Sequence, residues 1–206
     1  MDKVSQKKIA RVSLYRRRLK IEQFRREYIF SHELAAIANS NAAQVRRDLM
    51  KIGAVGSLKK GYNVTSLIAT IDKFLDPPRR ENVIIAGAGN LGMALLTFFK
   101  NRQPKLCLVA AFDIDPVKVG NDLGSNTPCL HLKDMPEFIK KNKVKIGVIS
   151  TNEGATREVA DVMIDSGIRS IINFTCVPLN SRPDVFIEQI DITASFEKAA
   201  FFTKNR

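Results

Sequence analysis

Gly87, Gly89 and Gly92 stand in a G-x-G-x-x-G spacing, directly after the apolar run at 83–86 and ahead of a helical pattern. That spacing suits a phosphate cradle. The first glycine makes a tight turn, the second lets backbone N–H groups approach a pyrophosphate, and the third lets helix and strand pack closely. Ala88, Asn90 and Leu91 fill out the turn and the helix start, whose positive dipole end favours an anion. Asp113 follows Gly92 by 21 residues, at the end of the next apolar run. A carboxylate there accepts from the hydroxyls of an adenosine ribose and repels a 2′-phosphate, so NAD(H) is expected over NADP(H). Asp115 competes for the ribose, but it precedes Pro116 and is better suited to cap a helix.

Turning over a bound dinucleotide needs an acid or base beside the nicotinamide, usually Tyr, Lys or His. All three tyrosines, Tyr15, Tyr28 and Tyr62, precede the glycine motif, so it has no Tyr-x-x-x-Lys partner. His131 is expected in a loop at 127–132, far in sequence from the nicotinamide end. Nor does a substrate domain remain beyond the nucleotide half. The residues therefore favour sensing a dinucleotide over oxidising or reducing with it. Two other classes stay open: a small NAD-dependent oxidoreductase, which predicts a substrate-dependent NADH absorbance change, and a CoA- or nucleotide-binding scaffold without effect on DNA.

A second chemistry sits upstream. Ala42 to Leu49 reads as a helix with Val45 and Leu49 toward a core, Gln44 and Arg47 on the open side and Arg46 flanking. Glutamine bonds adenine N6/N7, arginine bonds guanine O6/N7, and either can hold a phosphate. Residues 53–64, with three glycines and Lys59-Lys60, read as a hairpin with a basic tip. Charge agrees: residues 1–80 carry 18 basic and 7 acidic side chains, net +11, of a total of +12 for the chain. The remainder is nearly neutral, so a polyanionic partner belongs to the first part alone.

The elements that must position these residues follow from periodicity. A helix is expected over 5–28 with Ile9, Val12, Leu14, Leu19 and Ile21 as apolar positions, then a short one from an N-cap at Ser31 to Ala38. Next come the helix at 42–50, the hairpin, and a helix capped by Thr65. That order is a winged helix-turn-helix. Asp76-Pro77-Pro78 stops the helix and starts an extended linker. Beyond it strand and helix alternate. Strands are expected at 83–86, 106–112, 144–149 and 168–174. The helices between them bury Leu91, Ala94, Leu95, Phe98 and Phe99, open on a capping box Asp134-x-x-Glu137, or span 153–166. This is a doubly wound α/β domain on a parallel sheet, of Rossmann type. The expected division is a winged-helix domain at 1–78, a nucleotide domain at 79–190 and a C-terminal helix at 191–206.

The 206 residues, 45% hydrophobic and 26% charged, can fill two cores. The basic first 20 residues contain no apolar signal segment, and the uncharged run at 82–99 carries three glycines and an asparagine at its centre, a poor membrane span. Three widely spaced cysteines, Cys107, Cys129 and Cys176, fit a reducing cytoplasm and offer no metal-binding spacing. A cytoplasmic protein is expected.

Gln44-Val45-Arg46-Arg47-Asp48-Leu49, Gly61-Tyr62-Asn63-Val64, Gly87 to Gly92, Phe112-Asp113-x-Asp115-Pro116-x-Lys118-Val119-Gly120 and Asn173-Phe174-Thr175 occur in this order. The set resembles the Rex family, bacterial redox-sensing transcriptional repressors, from about residue 4 to the C-terminus. The resemblance implies a homodimer that binds a palindromic operator when NADH is low and releases it when NADH, the tighter of the two ligands, replaces NAD⁺. It assigns Ala43, Gln44, Arg46 and Arg47 to a recognition helix and Lys59, Lys60, Gly61 and Tyr62 to the wing. Gly87 to Gly92, Asp113, Thr151, Asn152 and Phe174 form the expected cofactor-binding set. The C-terminal helix, with Phe196, Ala199, Ala200 and Phe202 on one face, is exchanged between subunits in the family, whereas docking on its own nucleotide domain is the simpler alternative. Asp191 matches a family aspartate that pairs with a first-helix arginine, here Arg17. Phe98 stands where relatives often carry a switch tyrosine, and Ala54-Val55 where an aromatic is usual. Cys176 replaces a common proline and is either an oxidant-sensitive thiol near the nicotinamide or a buried inert one.

Overall fold

A stripe at 3–4 residue spacing, Val12, Tyr15, Leu19 and Glu22, is the buried face of the first helix, α1 (Gln6–Glu22). The computed structural model describes residues 5–100, 105–124, 126–180 and 182–204. The chain divides into two compact units, Met1–Pro78 and Arg79–Arg206. The stripe differs from the expected one: Ile9 and Ile21 are exposed, while Tyr15 and Glu22 take their place. Both polar groups are satisfied, Tyr15 by Asp48 and Glu22 by Arg18 and Arg26. Local apolarity alone could not foresee this.

The first unit continues with β1 (Tyr28–Ile29), α2 (Ser31–Ile37), α3 (Ala42–Lys51), β2 (Tyr62–Asn63) and α4 (Val64–Leu75). Three of its boundaries move from the expected positions. The first helix ends at Glu22, and Tyr28 leaves it for a strand that pairs antiparallel with β2. Ser31 is the first residue of α2, not its cap; Glu33 reaches back to accept from the Phe30 N–H at 2.9 Å. Asn63 caps α4 in place of Thr65, accepting from Ser66 N at 3.0 Å. Asn41 caps α3 in the same way, and Gly53 follows α3 in left-handed conformation with φ 82°. The core joins Val12, Tyr15 and Leu19 of α1 to Leu34, Val45, Leu49, Leu67 and Ile71.

The second unit is a six-stranded sheet of order β5-β4-β3-β6-β7-β8. Its strands are β3 (Glu81–Ala86), β4 (Leu106–Asp113), β5 (Cys129–His131), β6 (Ile146–Ile149), β7 (Ser170–Asn173) and β8 (Phe186–Gln189), each parallel to its neighbours. The crossover helices are α5 (Asn90–Lys100), α6 (Met135–Lys141) and α7 (Thr156–Ser166), and α8 (Ile192–Thr203) follows β8. The order reverses between β3 and β6, the topological switch where such sheets bind ligands.

Both edge strands depart from the sequence expectation. β5 is three residues inside the stretch expected as a loop, and β8 is a largely exposed strand ending in Glu188-Gln189. The capping box is also corrected. Asp134 makes no side-chain cap, and the 3₁₀ turn Leu132–Asp134 is opened instead by His131 Nδ1, which accepts from Lys133 N at 3.1 Å. On α5 the buried face is Gly92 and Leu96 with Met93 beside them, whereas Ala94 and Phe98 are exposed. The side chain of Phe99 lies outside the described residues.

Candidate functional site

β3 ends at Ala86, and the chain turns through Gly87 with φ 94° into α5. A Cβ on Gly87 would come within 2.5–2.7 Å of the Ser150–Thr151 backbone. One on Gly92 would collide with the Gly87 carbonyl, while one on Gly89 would meet nothing within 4 Å. Two glycines therefore permit close packing, and the third keeps an opening at the helix N-terminus. Gly87 N donates to Phe112 O at 2.8 Å, and Ser150 Oγ donates to Gly87 O at 2.8 Å, so the loop is stitched to β4 and to the end of β6.

Asp113 closes the arrangement. Its Oδ2 accepts from Ala88 N at 2.7 Å, and its Oδ1 accepts from Ile114 N at 2.8 Å and Asp115 N at 3.0 Å. Burial alone would raise this carboxyl, but the N–H groups of Asp115, Ala88 and Ile114, with the Lys118 ammonium, hold it below the ordinary aspartate value. Lys118 Nζ lies 3.7 Å from Asp113 and 3.2 Å from Asp115. Asp115 caps no helix. It accepts from Val117 N at 3.0 Å and heads an irregular turn.

A cleft of about 220 Å³ opens here, with Gly87, Gly89, Asp113, Thr151 and Asn152 among its walls. Ile114, Lys118, Leu132, Ser150 and Ala155 also line it and were not singled out in the sequence as site residues. Lys118 belongs to the Phe112-Asp113-x-Asp115-Pro116-x-Lys118 motif. Ile114, Leu132 and Ser150 each follow a strand end, and Ala155 closes the 3₁₀ turn Glu153–Ala155 after β6. Ala88 contributes through its N–H, and Asn90 and Leu91 form the first turn of α5. Phe174 does not line the cleft; it packs half-buried against the Val83, Ile85, Leu96 and Val148 cluster. Thr151 Oγ1 is buried with no hydrogen-bond partner, and the space over Gly89 is open. A buried hydroxyl without a partner and an uncovered helix end fit a phosphate-bearing ligand. A larger apolar groove of about 400 Å³ shares Ile114, Leu132 and Ala155 with the cleft and runs on between Met135 and Val159.

Cys176 is exposed and donates to Glu153 Oε1 at 2.8 Å, a bond that pushes the thiol up. It is not buried; Cys129 is the buried one. His131 ends β5 and is engaged in the Lys133 turn. Among the described residues no group of His, Cys, Asp and Glu could hold a metal ion, and no helix is long and apolar enough to cross a membrane.

In the first unit α3 presents Ala43, Arg46 and Arg47 to solvent, with Val45 and Leu49 fully buried. Arg46 Nη1 donates to Ser31 Oγ at 3.1 Å. Gln44 is half-buried, and its Nε2 donates to Asp48 Oδ1 at 2.9 Å. The wing is narrower than the hairpin expected at 53–64. Ser57 and Gly61 exchange backbone bonds of 2.7 and 2.8 Å around Leu58-Lys59-Lys60, and β2 pairs with β1 rather than with the wing's first arm. Lys60 Nζ lies 5.5 Å from the Tyr28 ring centroid. Tyr62 packs half-buried against the core below.

Arg17 is exposed on α1, and Phe98 is 49% exposed on α5. Asp191 caps α8, its Oδ1 accepting from Ala194 N at 2.8 Å. α8 buries no residue, and its apolar face is open, with Phe196 73% and Phe202 71% exposed.

Residues 3–49 match a family described as putative DNA-binding protein N-terminus, and residues 79–177 match the CoA binding domain. The redox-sensing transcriptional repressor Rex of Listeria welshimeri is 34% identical over 98% of this chain and 94% of its own. That of Pelotomaculum thermopropionicum is 37% identical over 97% and 93%. The crystal structure of RSP, a Rex-family repressor, superposes with a TM-score of 0.89 at 29% identity, covering 99% of this chain and 96% of that one. RSP in complex with β-NAD⁺ and operator DNA gives 0.89 at 29% identity, with 99% and 94% covered. The complex of RSP with β-NADH gives 0.87 at 28% identity, with 99% and 96% covered. With relatives above 30% identity along nearly its whole length, the chain belongs to the Rex family of redox-sensing transcriptional repressors.

Proposed function

We propose that the chain is a homodimeric repressor that holds operator DNA through α3 and the wing and lets go when NADH replaces NAD⁺ in the cleft beside Asp113. The observation that carries this reading is the Asp113 carboxylate, ionised and knotted to the glycine loop at Ala88 N, in a chain of the Rex family. Such a carboxylate receives ribose hydroxyls and repels a ribose phosphate. Gly89 and the start of α5 face the pyrophosphate, Thr151 and Asn152 flank it, and the adenine extends toward the apolar groove past Ile114. Phe174 acts from behind this wall, through packing.

On the DNA side Ala43, Gln44, Arg46 and Arg47 enter the major groove, while Lys59, Lys60, Gly61 and Tyr62 form or support the wing on the backbone or minor groove. α8 joins two copies through its exposed phenylalanines. Arg17, Phe98 and Asp191 take part in the switch between domain arrangements, with the Arg17–Asp191 pair made in one and broken in the other. No catalytic role is assigned to any residue. Three free cysteines agree with a cytoplasmic location.

A ligand moves such an equilibrium only by its difference in affinity for the two states. NADH must therefore prefer the arrangement that cannot hold DNA. A gel shift at fixed total dinucleotide and varied NADH/NAD⁺ ratio is expected to show release as the ratio rises; equal release by both forms refutes ratio sensing. Arg46→Ala is expected to weaken operator binding by about tenfold, the loss of one good base or phosphate contact, with NADH affinity unchanged. The match of residues 79–177 to the CoA binding domain favours a second reading, a CoA-binding module without DNA coupling. That reading predicts displacement of NADH by CoA and no dinucleotide-dependent gel shift.

A further inference from the structure

Asp48 accepts four side-chain hydrogen bonds in the first unit, although nothing in the repressor reading requires it. It is 2% exposed, and four donors fill its two oxygens. Oδ2 accepts from Arg11 Nε at 2.7 Å and from the Tyr15 hydroxyl at 3.2 Å. Oδ1 accepts from Arg11 Nη2 at 2.9 Å and from Gln44 Nε2 at 2.9 Å. An ionised carboxylate only accepts, and Arg11 with Tyr15 and Gln44 outweighs burial to keep this one ionised. The Gln44 amide is thus fixed in one orientation, since the flipped form would set oxygen against oxygen.

Fixing the amide fixes what it shows to a partner. Nε2 carries two hydrogens, and Asp48 takes one. The part of Gln44 left for DNA is then one donor and one acceptor. Adenine presents N7 as acceptor and N6–H as donor in the major groove, the complement of that pair. Guanine presents two acceptors, N7 and O6, and would need two donors. We infer that Asp48, anchored by Arg11, is a specificity-determining positioning residue that makes Gln44 a reader of adenine and rejects guanine at one base pair of each half-site. The inference rests on the proposed operator binding and adds the base that one side chain selects.

A random-sequence duplex library selected with the full-length chain, Gln44→Ala and Asp48→Asn tests it. The wild-type chain is expected to enrich a motif in which adenine at one position of each half-site depends on Gln44, while the other positions survive in Gln44→Ala. An asparagine at 48 sets its N–H₂ against one Arg11 N–H either way. With its oxygen kept for Arg11 Nε, the shorter bond, and for Tyr15, the N–H₂ faces Gln44, so the glutamine flips and shows two donors. Asp48→Asn is therefore expected to raise guanine at that position by about tenfold relative to adenine. A second measurement needs no altered core: 7-deazaadenine at that position removes N7 and is expected to weaken the wild-type complex about tenfold but leave the Gln44→Ala complex unchanged. Guanine at the Gln44-dependent position, no position that depends on Gln44, a folded Asp48→Asn with unaltered preference, or indifference to 7-deazaadenine each overturns the inference. Enrichment of no sequence by the wild-type chain overturns it together with the operator reading; an enriched motif lacking the Gln44-dependent adenine overturns it alone.

Discussion

Two aspartates, Asp48 and Asp113, do comparable physical work in different units. Each is taken largely out of water and compensated by directed donors, which makes it both a structural tie and a fixed negative charge. Asp113→Asn keeps the size but turns an N–H₂ toward backbone N–H donors and removes the charge that, on the proposed reading, receives the ribose. Fluorescence titration is expected to show NADH affinity falling by about tenfold or more and the preference over NADPH shrinking, because charged hydrogen bonds contribute about 1.5–3 kcal/mol. An unchanged NADH/NADPH ratio would exclude Asp113 as the selecting group. Tyr15 offers a separate test. Burial first, then the nearby Asp48 charge, pushes its hydroxyl up to about 12. A group raised above its unfolded value of about 10 contributes stability that is complete below that value and is lost as pH rises toward the folded one. Melting curves between about pH 10 and 12 are expected to fall steeply for the wild-type chain. Tyr15→Phe should fall less, after a loss of about 1 kcal/mol at neutral pH for the missing hydrogen bond.

At the scale of elements, the β3–α5 junction is a close fit. A Cβ on Gly92 would collide with the Gly87 carbonyl oxygen, so any side chain must push helix and strand apart. Gly92→Ala is expected to abolish measurable NADH binding and lower the stability of the second unit by about 1–3 kcal/mol, the usual range for overpacking, while operator binding without ligand persists. Calorimetry and a gel shift on the same preparation check both halves of that statement. The glycine spacing made this junction legible, because few residue types satisfy a positive φ and a close approach together. β5 and β8 were illegible for the opposite reason: three or four residues at a sheet edge carry too little alternation to stand out from a loop. The wing fell between. Its glycines and lysines marked a turn, but the strand that β2 pairs with is Tyr28–Ile29, more than thirty residues away in sequence.

For the whole molecule, the +12 charge is an average over two unlike parts. The basic unit suits DNA phosphates, whereas the nearly neutral unit offers an anionic ligand backbone N–H groups and a helix end, which need no net charge. α8 exposes Phe196, Phe201 and Phe202 along twelve residues, too short a helix to be stable unpacked. Replacing Phe196 and Phe202 together by Asp is expected to convert the dimer to a species with the mass of one chain in light scattering and to weaken operator binding by at least about tenfold, since a palindromic site is held by both halves. A retained dimer would place the subunit contact elsewhere. The sequence by itself determined the division into two units, the winged-helix and Rossmann classes and the glycine–aspartate motif. These depend on local spacing, turn chemistry and charge, all readable along one chain. Only the tertiary structure decided that Tyr15 and Glu22 replace Ile9 and Ile21 in the core, that Phe174 stands behind the cleft wall, and that Gln44 is oriented by Asp48. The Tyr15 and Arg11 bonds that hold Asp48 cross 33 and 37 residues of chain. The Gln44–Asp48 bond is local but depends on that anchor, and Phe174 is placed by packing between strands and helix, so no local pattern encodes these outcomes.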